Sequence, residues 1–403
     1  MTRHLFKLVW NRRRTNLLVV VEIFASFLVS FAVVTLGVFY LDNYRQPLGF
    51  SSDSVWVVTQ NAPDGGPGGP RGEHAATASR LMAAAREFPE VVEAAGAFTS
   101  PYSNAGWNTS VNVAGGERFY WVNQVTDDYD RVMGLNLRRG RWFSREDDGS
   151  TFTPVVVTEK LGHMLFGEED PVGKTVPQNP PPAGQPPNPE LRVIGVVAAF
   201  RQHGEFSEPV GYSFRRFKRG DPEQQTPRLL VLKVRPGTPA AFEERLMARL
   251  QAEARDWSFE VEPLTQMRET FLKERLTPVV AVAVVAAFLL LMVALGLTGV
   301  VWQNVTQRTR EIGLRRAKGA TAGRIHRQIL GELLVMTTLA LAAGVVVVVQ
   351  FPLLDLVAAV RPAVYAASLA ISALGIYCLA LVFGWYPSRL ATKVQPAEAL
   401  RWE

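Results

Sequence analysis

Four stretches almost free of charge, at 17–41, 278–302, 329–351 and 364–386, constrain this chain more than any other feature. Each is 23 to 25 residues long, and about 20 helical residues are enough to cross the hydrocarbon core of a bilayer. One buried helix in a soluble domain can be apolar on all sides. Four of this length in a chain of 403 residues read as membrane spans. The first follows a basic start, as a signal-peptide core would. Its apolar run is too long for that, and no small-x-small cleavage site follows in Phe39-Tyr40-Leu41-Asp42-Asn43-Tyr44. It is read as an uncleaved anchor.

Charge sets the expected orientation. Arg3, Lys7, Arg12, Arg13 and Arg14 precede the first span. Between the second and third lie Arg308, Arg310, Arg315, Arg316, Lys318, Arg324 and Arg327, against Glu311 alone. Arg389, Lys393 and Arg401 follow the fourth, against Glu398 and Glu403. These segments carry 15 basic and 3 acidic residues, whereas 42–275 carries 27 basic and 31 acidic ones. Basic loops stay in the cytoplasm, so both termini are expected there and the large middle segment outside. The net charge of +6 is thereby a topology signal. The expected partner is membrane lipid and not nucleic acid, because the basic residues flank spans and form no domain of their own. The single cysteine, Cys378, lies in the last span and excludes an intrachain disulfide.

The expected layout is a cytoplasmic amphipathic segment over 1–16, spans at 17–41, 277–303, 329–351 and 364–386, a cytoplasmic loop at 304–328, a short outer loop at 352–363 and a cytoplasmic tail at 387–403. The outer segment, 42–276, reads as mixed α/β. Strand composition at 54–59, 94–99, 228–234 and 258–261 frames helix-forming stretches at 74–87, at 239–254 and from 264 into the second span. Strand–helix–strand patterns at both ends predict one subdomain from about 53–98 and 226–264. Alternation at 119–125 and 153–158 predicts a second, β-rich subdomain over about 99–225, inserted into the first. Pro- and Gly-rich stretches at 61–72 and 177–190 read as exposed loops.

Catalytic chemistry finds no support. Gly167-Glu-Glu-Asp-Pro-Val-Gly173-Lys174-Thr175 imitates a phosphate-binding loop, yet it has five residues between its glycines where the motif needs four. Three of those five are acids and one is Pro171, a poor cradle for anionic phosphate. His4, His74, His163, His203 and His326 are scattered without ligand spacing, and no nucleophile elbow occurs. No catalytic, cofactor or metal site is expected. Glu22 and Glu332 lie a few residues inside the first and third spans, roughly 6–8 Å below the cytoplasmic boundary. Pairing with basic loop residues or snorkelling to the near surface is the expectation for both, with a proton or ion path as the alternative.

The most informative cytoplasmic segment is R-E-I-G-L-R-R-A-K-G-A at 310–320, a short basic helix candidate ending near Gly319. It resembles the R-E-I-G-x-x-x-A-x-G-A signature of FtsX-like permease domains. Gln328-Ile-Leu-Gly-Glu332 and Pro387-Ser-Arg-Leu-Ala391 with Pro396-Ala-Glu-Ala-Leu-Arg401 are similar to the motifs that follow it in that family. The outer segment resembles the core domain of MacB-type permeases at Tyr129, Gly134, Gly140-Arg141-Trp-Phe143, Val155-Val-Val-Thr-Glu159, Asp170-Pro-Val-Gly-Lys174 and Arg192-Val-Ile-Gly195-Val-Val197.

The resemblance implies a type VII ABC transporter permease in the bacterial inner membrane, with four transmembrane helices and a mixed α/β periplasmic domain of porter-like and sabre-like subdomains. It implies a dimer with a second permease copy or a related permease, and opens the way to a periplasmic adaptor and an outer-membrane channel. MacB carries its nucleotide-binding domain fused before the first span, where this chain has about 16 residues. ATP and Mg are therefore expected on a separate ABC ATPase subunit, with no cofactor on this chain. The implied mechanism is mechanotransmission, with 308–320 as coupling helix. Arg310, Glu311, Ile312, Gly313, Arg315, Arg316, Ala317, Gly319 and Ala320 are the implied coupling residues. Efflux of antibiotics, peptides or siderophore-like molecules is the first functional expectation. Signalling to an envelope hydrolase, or lipoprotein release, are the alternatives.

Overall fold

A computed structural model describes residues 13–63, 71–113, 116–181, 184, 186–217, 226–354 and 360–391. Residues 1–12 of the expected amphipathic segment, 355–359 of the short loop and 392–403 of the tail lie outside the described residues. The chain divides into two compact units, Met1–Asp42 with Leu276–Glu403, and Asn43–Arg275.

The first unit is helical. Helices α1 (Arg13–Tyr44), α6 (Leu264–Gln307), α8 (Ala322–Leu353) and α9 (Pro362–Ala391) are each long and apolar enough to cross a membrane. Val19, Ile23, Phe27 and Phe31 recur every fourth residue along α1 and form one buried stripe. That stripe packs with Leu297 and Val301 of α6, Leu333, Met336 and Ala340 of α8, and Ile376 and Ala380 of α9. Much of the remaining surface, such as Val284, Leu291, Val346 and Leu374, is exposed and apolar, as lipid-facing residues are. Two polar side chains inside satisfy themselves locally: Thr337 donates to the Leu333 carbonyl at 2.9 Å and Ser368 to that of Val364 at 2.7 Å.

The second unit is a mixed α/β domain. Its strands are β1 (Val55–Asn61), β2 (Val91–Ala97), β3 (Trp107–Val113), β4 (Gly116–Val125), β5 (Leu137–Gly140), β6 (Thr153–Thr158), β7 (Leu191–Val197), β8 (Tyr212–Arg216), β9 (Leu229–Val234) and β10 (Ser258–Pro263). Its helices are α2 (Arg71–Arg86), α3 (Tyr129–Met133), α4 (Glu159–Phe166), α5 (Ala241–Glu253) and the first turns of α6. All ten strands join one sheet, in the order β10-β1-β9-β2-β4-β8-β6-β7-β5, with β3 beside β4. The half made by β10, β1, β9 and β2 is antiparallel throughout. The other half contains two parallel pairs, β4 with β8 and β6 with β7. The halves join at the Ala97–Val125 ladder pair, flanked by hydrogen bonds from the Phe98 N–H to the Gln124 carbonyl and from the Thr126 N–H to the Gly96 carbonyl.

Sheet residues are buried on both faces where helices cover them. Trp56 and Val58 of β1 pack with Leu81 of α2 and Phe242, Leu246 and Leu250 of α5. Val55 and Val57, one residue out of phase, face Tyr129, Val132 and Met133 of α3 and Leu264 and Phe271 of α6. The Pro-rich stretch at 177–190 is anchored. Asn179 accepts from the Asn112 backbone N–H and donates to the Ser110 carbonyl, both at 3.1 Å, so its amide continues the ladder on β3.

Candidate functional site

The signature segment at 310–320 folds as a short helix, α7 (Thr309–Ala317), between α6 and α8. Its closure explains the glycine. The Ala320 N–H donates to the Arg315 carbonyl at 3.0 Å, and the Lys318 N–H to that of Leu314 at 3.1 Å. Gly319 bridges them at φ 91°, a left-handed conformation that favours glycine. Ile312 is buried against Ile325 of α8, with Val305 and Ile329 packed around the pair.

A relay of polar side chains runs beside that contact. Arg315 donates to Glu311 at 2.6 Å and to Gln328 at 2.8 Å. Gln328 donates to one Glu332 oxygen at 3.1 Å, and Arg308 to the other at 2.6 Å. The relay thus joins the end of α6, α7 and the first turns of α8. Arg308 and Glu332 are 14 % and 12 % exposed, Arg315 and Glu311 41 % and 45 %. Its inner end is therefore shielded and its outer end open to water. A recess of ≈ 40 Å³ lies among these five residues and an apolar wall that includes Val301 and Met336. It has room for a few waters. Its lining holds two cations and two carboxylates.

Glu311, Arg315 and Glu332 of the expected site residues are thereby brought together. Ile312, expected to contact the ATPase, and Gly313, expected to allow close approach or helix ending, are both buried within this chain. The physical reason is that Ile312 fastens α7 to α8 through Ile325. Ala317 and Gly319 are exposed and Ala320 is half-buried. The side chains of Arg310 and Arg316 lie outside the described residues. Glu22 rests against the α6 backbone, where a Cβ on Gly296 would come within 2.0 Å of its Oε1. No cation pairs with it among the described residues. Arg308, Gln328 and Leu314 are the additions. Leu314 is 49 % exposed, and its place two residues from buried Ile312, about 200° around a helix, was a usable signal.

The phosphate-loop imitation is occupied by its own chain. The Gly173 N–H donates to the Val193 carbonyl at 2.8 Å, and Lys174 pairs with Glu169. Among the described residues no cluster of His, Cys, Asp or Glu could hold a metal ion.

Comparison with known proteins gives a consistent picture. The model of the MacB-like periplasmic core domain matches residues 23–249, and that of the FtsX-like permease C-terminal region matches 283–396. The macrolide export ATP-binding/permease protein MacB of Bdellovibrio bacteriovorus is 26 % identical over 312 residues, covering 75 % of this chain and 45 % of that protein. The chain thus spans about half the length of such relatives. An uncharacterized ABC transporter permease of Bacillus subtilis, YvrN, is 24 % identical over 427 residues, covering 99 % of this chain and 98 % of that one. The crystal structure of the periplasmic region of MacB from Actinobacillus actinomycetemcomitans matches with a TM-score of 0.37 and 19 % identity, over 55 % of this chain and 94 % of that one.

Proposed function

The chain belongs to the MacB-like, FtsX-like family of ABC transporter permeases, and from that membership we propose that it converts ATP hydrolysis on a partner ATPase into movement of its α/β domain. The domain stands on the periplasmic face and both termini are cytoplasmic, a reading supported by the basic residues flanking the spans. The observation that carries the proposal is the position of α7. It is fastened to α6 and α8 by the Ile312–Ile325 contact and the Arg308–Glu332 relay, while Leu314, Glu311 and Arg315 remain accessible at its outer side.

A push on α7 therefore reaches two spans at once. One helix, α6 from Leu264 to Gln307 with Pro278 inside it, contains both the second span and a segment of the α/β domain. Exposed spans with few charges suit work done outside rather than a polar path through the bilayer. The substrate class is that of an efflux system, a macrolide- or peptide-like molecule taken from the periplasm, with a second permease copy completing the assembly.

Co-purification from membranes tests this. Wild type should retain an ABC ATPase and stimulate its hydrolysis, and Glu311→Lys, which breaks the pair with Arg315 and reverses the charge of the open face, should lose both. Purification without any ATPase, even after mild crosslinking, would overturn the proposal. An envelope hydrolase in the sample in place of an adaptor would redirect it to signalling.

A further inference from the structure

Arg201 is 2 % exposed, the largest fully buried side chain among the described residues. Its guanidinium donates to the carbonyls of Asn43 at 2.8 Å, Gln46 at 3.0 Å and Glu205 at 2.6 Å, and to that of Ser207. All four acceptors are neutral, and Nε has no partner. A buried cation needs a counter-charge. Glu205, itself 5 % exposed, carries a charge that acts on Arg201 without a direct side-chain ion pair. Burial draws the Arg201 pKa down, and the Glu205 charge opposes that.

Glu205 is shared. Its Oε1 also accepts from Tyr102 at 3.2 Å and from Arg268 of α6 at 2.5 Å. Arg268 pairs with the carboxylate itself and Arg201 with the backbone carbonyl of the same residue, so the two cations are not equivalent. Arg201 is enclosed, whereas the Arg268 side chain is 37 % exposed. If Arg268 turns to water, Arg201 keeps its four carbonyl acceptors and the loop stays closed around it. Arg268 is thus the releasable member.

The surroundings make that release mechanical. Arg268, Phe271 and Arg275 form one stripe at i, i+3 and i+7 along α6. Phe271 meets the Tyr102 ring edge-on at 6.0 Å, and Arg275 reaches Asn104 at 3.4 Å. The loop that carries Glu205 closes on Tyr102 through Gly204 at φ 74°, where a Cβ would lie 2.8 Å from the ring. From the same loop, Gln202 accepts from the Tyr212 hydroxyl of β8 and donates to the Ala105 carbonyl, both at 2.7 Å.

We infer that Arg268 is a positioning residue in a releasable latch: it holds α6 to the 201–207 loop, and through Arg201 the loop holds the end of α1 at Asn43 and Gln46. Movement of α6 then reaches both the exit of α1 and the sheet. The inference rests on the mechanical reading above and adds the residues that pass the motion on.

Hydrogen–deuterium exchange on the full chain in lipid nanodiscs, in complex with its ATPase and with or without a non-hydrolysable ATP analogue, tests it. Wild type should show a nucleotide-dependent change in protection at 43–48 and 201–207. Arg268→Ala should lose that change while keeping ATP hydrolysis, and Arg268→Lys should recover part of it. Glu205→Gln, which keeps the shape of the side chain, serves as the second variant and should also lose the response. A full response in both Arg268→Ala and Glu205→Gln would overturn the latch alone. A wild type with no nucleotide response would bring down the mechanical reading, and the latch with it.

Discussion

Arg308, immediately after α6, donates to Glu332 of α8 at 2.6 Å with both side chains shielded from water, which ties the second and third spans at the point where α7 joins them. Removing one partner of a shielded pair leaves the other charge uncompensated, at a cost of about 3 kcal/mol. Glu332→Ala should lower the melting temperature of the purified chain, and Glu332→Gln, which still accepts a hydrogen bond, should lower it less. Equal melting of Glu332→Ala and wild type would show that the pair holds nothing.

Ile312 fixes α7 by one apolar contact with Ile325. Truncation in Ile312→Ala should cost about 2 kcal/mol locally and raise amide exchange across 309–317 with little change in the rest of the bundle. Unchanged exchange there would assign the fastening to the polar relay instead.

Asp147 gives a pH prediction. Burial pushes its carboxyl up, but the paired hydrogen bonds from Arg141 at 2.6 and 2.9 Å and from the Ser144 N–H at 2.9 Å outweigh this and hold it below the usual carboxylate range. A depressed folded value contributes stability that is present above the unfolded value, about 3.9, and is lost as pH falls through the folded one. Asp147→Asn should be less stable than wild type at pH 7 by about 1–2 kcal/mol. The gap should close in melts below about pH 3.9.

Close backbone approach within the bundle rests on Gly344, where a Cβ would meet the buried Phe27 ring at 2.4 Å. Gly344→Val should destabilise the chain by about 1–3 kcal/mol, and adding Phe27→Leu should restore part of that. A neutral single variant would mean that α1 and α8 can separate freely.

Asn179 holds the Pro-rich loop to β3, so Asn179→Ala should speed proteolytic cleavage within 177–190 without unfolding the domain. Equal cleavage rates would show that the loop is held by other contacts.

Much of the architecture was legible along the chain. The spans, the strands at β1, β6, β9 and β10 and the passage of α6 into the second span follow from runs and periodicities that a dozen neighbouring residues carry. Partner choice was not. Nothing local in TPVVVT or LRVIGVV says that β6 and β7 run parallel, since a strand fixes its faces but not its neighbour. The 310–320 segment was legible as a motif, yet not that Ile312 turns inward onto Ile325.

The sequence by itself determined that four helices have the length and composition to span a membrane, which loops are basic, and where α7 must end at Gly319. Those properties depend on hydropathy, charge and backbone conformation at successive residues. Only the tertiary structure decided that Glu332 has Arg308 and Glu22 has Gly296 beside it, and that one residue, Glu205, meets Arg268 with its carboxylate and Arg201 with its backbone carbonyl. The physical reason is that an ionisable group's role is set by the charges and dipoles within a few ångströms of it, and folding brings those from helices and loops far apart in the chain.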